Sequence, residues 1–278
     1  MEKNVVLYHK NCTDGFGGAY AAWKKFGNTA TYIPARSNTE VPEGLEGKIV
    51  YCIDFCYPKE VIEALREQTE KLIVIDHHEM NREAAQAADE MHFDPEHSGA
   101  VLAWQYFHSE TETPTFLTYI EDGDLYRHEI PESRAALAII HLAQHEFSAY
   151  ETLHLAFEDP TQHQEMIVRG THYNEYFQKL VEQIAQKAEL VEFEGYTVYA
   201  TNLSGIFRSD VGHLLAQKQP PFAICWSDDL DKVKISLRGI GEVHLGKLAE
   251  KYGGGGHHDA ASFIVKPNQN LPFTPKNV

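Results

Sequence analysis

Asp76-His77-His78 follows directly on the run Lys71-Leu-Ile-Val-Ile75. An apolar, β-branched run of that length reads as a buried strand, so three residues able to bind a metal or meet a phosphate sit at its carboxyl end. In open α/β sheets that edge is where ligands bind. Two more runs deliver similar residues. Val5-Val6-Leu7-Tyr8 leads to His9 and Asp14, and Lys48-Ile49-Val50-Tyr51-Cys52-Ile53 leads to Asp54. Asp122-Gly-Asp124 adds two more carboxylates. Carboxylates can bridge hard cations and imidazoles can complete their shells. The set His9, Asp14, Asp54, Asp76, His77, His78, Asp122 and Asp124 therefore points to a hydrolytic centre of two metals, about 3.5–4 Å apart and sharing an activated water.

Such a set needs strands whose ends converge. Residues 5–76 alternate strand-like runs at 5–8, 30–33, 48–53 and 71–75 with helix-compatible segments at 15–26 and 59–69. The alternation predicts an α/β fold, a doubly wound parallel sheet with helices on both faces. From 98 to about 150 the pattern is mostly helical, at 100–107, 115–121, 132–142 and 149–157. Residues 162–190 contain no proline and one glycine, and Ile167, Tyr173, Phe177, Leu180, Ile184 and Leu190 roughly follow helical spacing. They predict a long connecting helix entered through Asp159-Pro160. Short strands at 196–200, 222–226, 232–237 and 261–265 then predict a smaller α+β domain. The expected organisation is a catalytic domain at 1–160, a connecting helix at 161–190 and a second domain at 191–278. The tail from Pro267 is polar and proline-bearing, and is expected to be poorly ordered.

The 278 residues suffice for two domains with separate cores. With 24 Lys+Arg against 41 Asp+Glu, the formal charge is −17. So acidic a surface repels polyphosphate backbones and argues against long duplex nucleic acid as a partner. Small anionic substrates stay open where bound cations reverse the sign locally. Cys12, Cys52, Cys56 and Cys225 form no CxxC pair, which fits a reducing compartment. No stretch of ~20 apolar residues is present, so no membrane span is expected and the cytoplasm is the default location.

In their order, these motifs resemble the DHH phosphoesterase superfamily, specifically members with the DHH-associated C-terminal domain. His9-Lys-Asn-Cys-Thr-Asp14-Gly15 is similar to motif one, Asp54 to motif two, Asp76-His77-His78 to the naming motif and Asp122-Gly-Asp124 to motif four. Gly253-Gly-Gly-Gly256-His257-His258-Asp-Ala-Ala261 resembles the glycine-rich signature of the associated domain, and Ser236-Leu237-Arg238 its arginine-bearing strand. The resemblance implies an active site in an interdomain cleft holding two divalent ions, manganese foremost, with magnesium or cobalt as alternatives. It implies that His9 binds the first metal, that Asp54 bridges both, and that Asp14, His77 and the motif-four aspartate complete the second. His78 would face the substrate phosphate, with Asp76 in support. Spacing to Tyr126 favours Asp122 as the motif-four ligand and leaves Asp124 open.

One departure concerns motif one. Many members carry two aspartates spaced D-x-D, where this chain has Cys12-Thr13-Asp14. The first metal would then be more weakly held, more aquated or ligated by Cys12, and a thiolate favours softer ions than magnesium. In the second domain, Gly254, Gly255, Gly256 and His257, with Arg238, form the expected phosphate-binding set. Arg208 reads more readily as a surface ion-pairing residue. The function implied is a phosphodiesterase that cleaves short linear oligonucleotides to mononucleotides through a two-metal-activated hydroxide. Its best candidates are dinucleotides such as pGpG or pApA, released from cyclic dinucleotide signals. The alternatives are a 3′-phosphoadenosine 5′-phosphate phosphatase, a polyphosphatase or pyrophosphatase, and a catalytically weak nucleotide-sensing module. A homodimer is compatible with the sequence.

Overall fold

The computed structural model describes residues 2–229, 231–256, 258–266 and 270–276. The chain divides into two compact units, Met1–Asn174 and Glu175–Val278.

The first unit begins with β1 (Asn4–His9), α1 (Thr13–Phe26), β2 (Ala30–Ala35), β3 (Ile49–Ile53), α2 (Lys59–Gln68), β4 (Lys71–Asp76), α3 (Arg82–Ala85) and β5 (Glu90–Phe93). The strands form one parallel sheet in the order β2-β1-β3-β4-β5. Both faces are covered, which is why the strand sequences are continuously apolar. Val5, Leu7, Leu72 and Val74 face a core with Ile62 and Leu65 of α2. Val6, Ile53, Ile73 and Ile75 face the opposite core. Burial of each such side chain contributes roughly 1.5–3 kcal/mol. Pro34 is tolerated because β2 lies at the sheet edge. Strand β5 has no counterpart in the sequence reading. Its four residues are all half-buried, so they leave no apolar run to recognise.

The opposite core is completed by α4 (Gly99–Phe107), α5 (Thr115–Asp124), α6 (Ser133–Ile140) and α7 (Phe147–Glu158). Next comes α8 (Pro160–Ala185), and the boundary between the two units falls within it. The chain leaves β1 toward β2 and later returns to β3 on the other side of β1. That reversal opens a crevice at the carboxyl ends of β1 and β3. His9 and Asp54 stand there.

The second unit contains β6 (Glu189–Phe193), β7 (Tyr196–Asn202), α9 (Arg208–Lys218), β8 (Phe222–Asp229), β9 (Lys232–Gly239), α10 (Leu245–Glu250), β10 (Gly255–Gly256), β11 (Ala260–Val265) and β12 (Thr274–Pro275). They form a mixed sheet ordered β10-β11-β9-β8-β7-β6-β12. Helix α8 ends at Ala185, short of the expected residue 190, because Glu189 and Leu190 pair with β7. The two-residue turn at Glu194 (φ 51°) and Gly195 (φ 84°) closes that hairpin in the primed-turn conformation. Helix α9 is the crossover that the parallel pair β7–β8 requires. Gly212 in its interior weakens its sequence signal. The tail is also more ordered than composition suggests, since Thr274 and Pro275 pair with Glu192 and Val191. Residues 267–269 lie outside the described residues. Among the described residues, no helix is long and apolar enough to cross a membrane.

Candidate metal centre

Four carboxyl-edge positions of the first unit supply the centre. Asp54 follows β3 with φ 63°, a left-handed backbone that side chains other than Asn and Asp adopt only at cost. Its amide still donates to Ile75 O at 2.9 Å, which ties the turn to β4. The two carboxylate oxygens face different imidazoles. Oδ2 lies 3.2 Å from His9 Nδ1, and Oδ1 lies 3.3 Å from His77 Nε2. The buried His77 Nε2 is misaligned for a hydrogen bond at that distance and has no partner. A buried nitrogen directed among carboxylates without a bond of its own is what a metal ligand looks like before its ion is considered.

Asp14, in the first turn of α1, is held from the far side. Its carboxylate accepts from Gly99 N at 2.7 Å and Ala100 N at 3.0 Å, the first amides of α4. The positive end of that helix favours an anion there. Ser98 caps α4 through a 3.4 Å bond from Val101 N. Glycine is required at 99, because a Cβ there would lie 2.6 Å from Asp54 Cβ and 2.9 Å from Asp14 Oδ2.

The carboxylates perturb one another. Burial, then the charges of Asp54 and Asp124, push the Asp14 carboxyl well up. Asp124, its carboxylate hemmed in by protein although its outer surface reaches solvent, is raised to about 6 by desolvation and by Asp54. Burial disfavours the charged forms of Asp54 and His77 alike, and contact with each other reverses this. The His77 and His9 imidazoles hold Asp54 well below its usual range, and His77 rises to about 10 beside Asp54, Asp124 and Asp14. Crowded anions of this kind are relieved by cations.

Among the described residues three groups of possible ligands emerge, one of them Asp54, Asp76, His77 and His78. His9, Cys12 and Asp54 place their donor atoms within 4.8 Å of one another, and so do Asp14, His77 and Asp124. Asp76, fully buried, accepts from the His77 amide (2.8 Å), from Asn81 Nδ2 (2.6 Å) and from His78 Nδ1 (2.7 Å). The last contact orients the His78 ring. Burial lowers His78, but the bond to Asp76 outweighs it, so the ring tends toward the cation.

One carboxylate oxygen of Asp122, the residue favoured on spacing, accepts from Glu129 N at 2.9 Å, and the other is buried without a hydrogen-bond partner. Asp124 instead stands 3.6 Å from His77 Nε2. A signal for this was present, since 116, 120 and 124 share one face of a helix. Asp124→Asn is expected to lower Mn2+ affinity by about 10–100-fold. Asp122→Ala is expected to spare that affinity and to cost about 1–3 kcal/mol of stability through the orphaned Glu129 amide. Calorimetric Mn2+ titration and thermal melts of both variants check this pair.

In the second unit, Arg238 ends β9 with its Nη1 donating to Leu237 O at 2.9 Å. Its stem crosses Gly212 so closely that a Cβ there would lie 2.7 Å from Arg238 Cγ. Arg208 opens α9 in the same neighbourhood. Burial pushes the Cys225 thiol up to about 12, and both guanidiniums oppose that rise. Gly254 and Gly256 have a packing reason for being glycine. Gly255 and Gly256 pair with β11, and a Cβ on Gly254 would lie 2.2 Å from Ser262 O. His257 lies outside the described residues.

Residues 199–273 match the DHHA1 domain family. That match lies within the carboxyl-terminal part of the chain, which is similar there to DHHA1 domains. An uncharacterized protein of Acanthamoeba polyphaga mimivirus is 26% identical to it over 302 residues, covering 97% of this chain and 69% of that protein. The DHH domain of a member of the s1p family of ribosomal proteins shares its fold with a TM-score of 0.65 at 14% identity, over 95% of this chain and 83% of that one. An exopolyphosphatase-related protein from Bacteroides fragilis does so with a TM-score of 0.55 at 14% identity, over 97% and 88% of the two chains. Every residue of the candidate ligand groups lies in the first 124 positions, and the DHHA1 match lies wholly in the second unit.

Proposed function

We propose that this protein is a metal-dependent phosphodiesterase for short linear nucleotides, with 5′-phosphorylated dinucleotides as the preferred substrates and mononucleotides as products. The observation that carries the reading is Asp54, whose two oxygens address separate imidazoles as a bridging carboxylate must. His9, Cys12 and Asp54 would hold one divalent cation, and Asp14, His77 and Asp124, with Asp54, the other. The unpartnered His77 Nε2 and the mutual repulsion of the aspartates fit two such ions. The nitrogen and oxygen donors of the Asp14, His77 and Asp124 group suit manganese, with magnesium and cobalt as further candidates. When bound, the ions supply Lewis acidity and a coordinated water of lowered pKa.

The chain's own groups do the remaining work. His78, kept toward the cationic form by Asp76, supplies positive charge where a phosphoryl oxygen gains negative charge in the transition state. Helix α4 fixes Asp14 through two backbone amides, so that ligand needs no reorganisation during turnover. Arg238 gives the second unit a guanidinium able to bind an anion.

The net charge of −17 supports short substrates, because a long strand would extend over a repulsive surface. A series of 5′-phosphorylated oligonucleotides from two to twenty residues, turned over with Mn2+, tests the preference. Turnover is expected to be highest for two-mers and to fall with length. Equal turnover of two-mers and twenty-mers would sink it. Free phosphate rather than mononucleotide as the product would mark a phosphomonoesterase or polyphosphatase instead.

A further inference from the structure

The structure gives Cys12 no apolar role. Cys52 and Cys56 pack into one hydrophobic cluster of the first unit and Cys225 into one of the second, whereas Cys12 belongs to none of the described clusters. It is the N-cap of α1, and its side chain makes no capping hydrogen bond. Asp54, Asp124 and Asp14 are close enough for their charges to act on it. Its sulfur lies within 4.8 Å of donor atoms of both His9 and Asp54. Burial and the charges of these aspartates push its thiol well up, so it is the arrival of a cation, and not the surrounding protein, that would draw off the proton.

We propose that Cys12 is a thiolate ligand of the first cation, so that the His9–Cys12–Asp54 group selects a borderline-soft ion such as zinc, cobalt or iron(II) over magnesium. The Asp14–His77–Asp124 group offers only nitrogen and oxygen and retains a preference for harder ions. The centre is then chemically asymmetric, with a sulfur-bearing half and an oxygen-rich half. On binding, the sulfur–metal bond replaces the S–H bond and the proton passes to solvent. This assignment rests on the two-cation reading given above.

Anaerobic titration of the chelator-treated full-length protein with Co2+ tests it. A near-ultraviolet thiolate-to-cobalt charge-transfer band is expected to saturate with the first ion. Cys12→Ser should abolish the band, while calorimetry still detects an ion at the second group. Cys12→Asp should also lack the band and should shift the Zn2+-to-Mg2+ affinity ratio toward Mg2+ by no less than the ~10–100-fold typical of losing a supporting partner. A measurement independent of variant folding is alkylation. Cys12 is half-buried while the other three cysteines are buried, so iodoacetamide should label Cys12 first, and Zn2+ should protect it. Two bound cobalt ions with identical spectra in the parent and Cys12→Ser would overturn the thiolate assignment and leave the two-cation reading intact. An alkylation rate indifferent to bound Zn2+ would do the same. Failure to bind any ion would overturn both.

Discussion

Asp54→Asn is expected to yield a folded protein that binds fewer ions and whose turnover falls on the order of 10^3-fold or more. A metal contributes several kcal/mol of charge stabilisation in a transition state, and each ~1.36 kcal/mol is a decade in rate. Asp54 is the carboxylate that both imidazoles address, so its loss weakens both ions at once. Asparagine is the informative replacement. It keeps the shape and tolerates the φ of 63°, whereas alanine there would add about 1–2 kcal/mol of left-handed strain and confuse lost chemistry with lost folding. Calorimetric ion counts, steady-state turnover with Mn2+ and far-ultraviolet circular dichroism together read the result. Parent-like turnover in a well-folded Asp54→Asn protein would remove the bridging role.

Gly99→Ala is the second large effect, and it comes from a residue without any functional group. The added methyl would lie 2.6 Å from Asp54 Cβ and 3.0 Å from Asp54 Cα, besides its approach to Asp14. Neither neighbour is a flexible chain end, so the backbone itself must move. Overpacking of this kind costs about 1–3 kcal/mol, or a melting temperature lower by roughly 5 °C for a chain of this size. The larger consequence is for catalysis. A displacement of about 1 Å in a ligand can cost on the order of 10^2-fold in rate. A melt and a turnover assay of the same preparation separate the two. The variant should remain largely folded at 25 °C while turnover drops about a hundredfold. Full activity would show that the Asp54 turn and α4 can separate without disturbing the ligands.

Much of this candidate centre was legible in the sequence because most of its residues follow strands buried on both faces. Such strands are uninterrupted apolar runs, and the residues after them must lie at the sheet's carboxyl edge. His9, Asp54 and His77 were therefore readable from local pattern alone. The support around them was not. Asp14 is fixed by amides 85 and 86 residues downstream, and nothing local to Asp14 announces that Gly99 and Ala100 will be there. Ser98 does signal the start of a helix, but not what its amides will meet. Which of Asp122 and Asp124 faces His77 depends on the rotation of α5 about its own axis, which packing decides. In the second unit, α9 and β6 were hidden for opposite reasons. An interior glycine blurs the one, and the other continues a helical pattern that pairing with β7 overrides.

The margins of the second sheet have a consequence for aggregation. Its outermost strands, β10 and β12, are each two residues long. One consists of two glycines, and the other ends in Pro275, which has no amide hydrogen to offer a neighbour. Natural sheets avoid recruiting foreign strands by keeping their borders short and by placing proline there. The tail segment Thr274–Pro275 thus works as a selvedge, finishing the border at β6 that would otherwise present five residues of unpaired backbone.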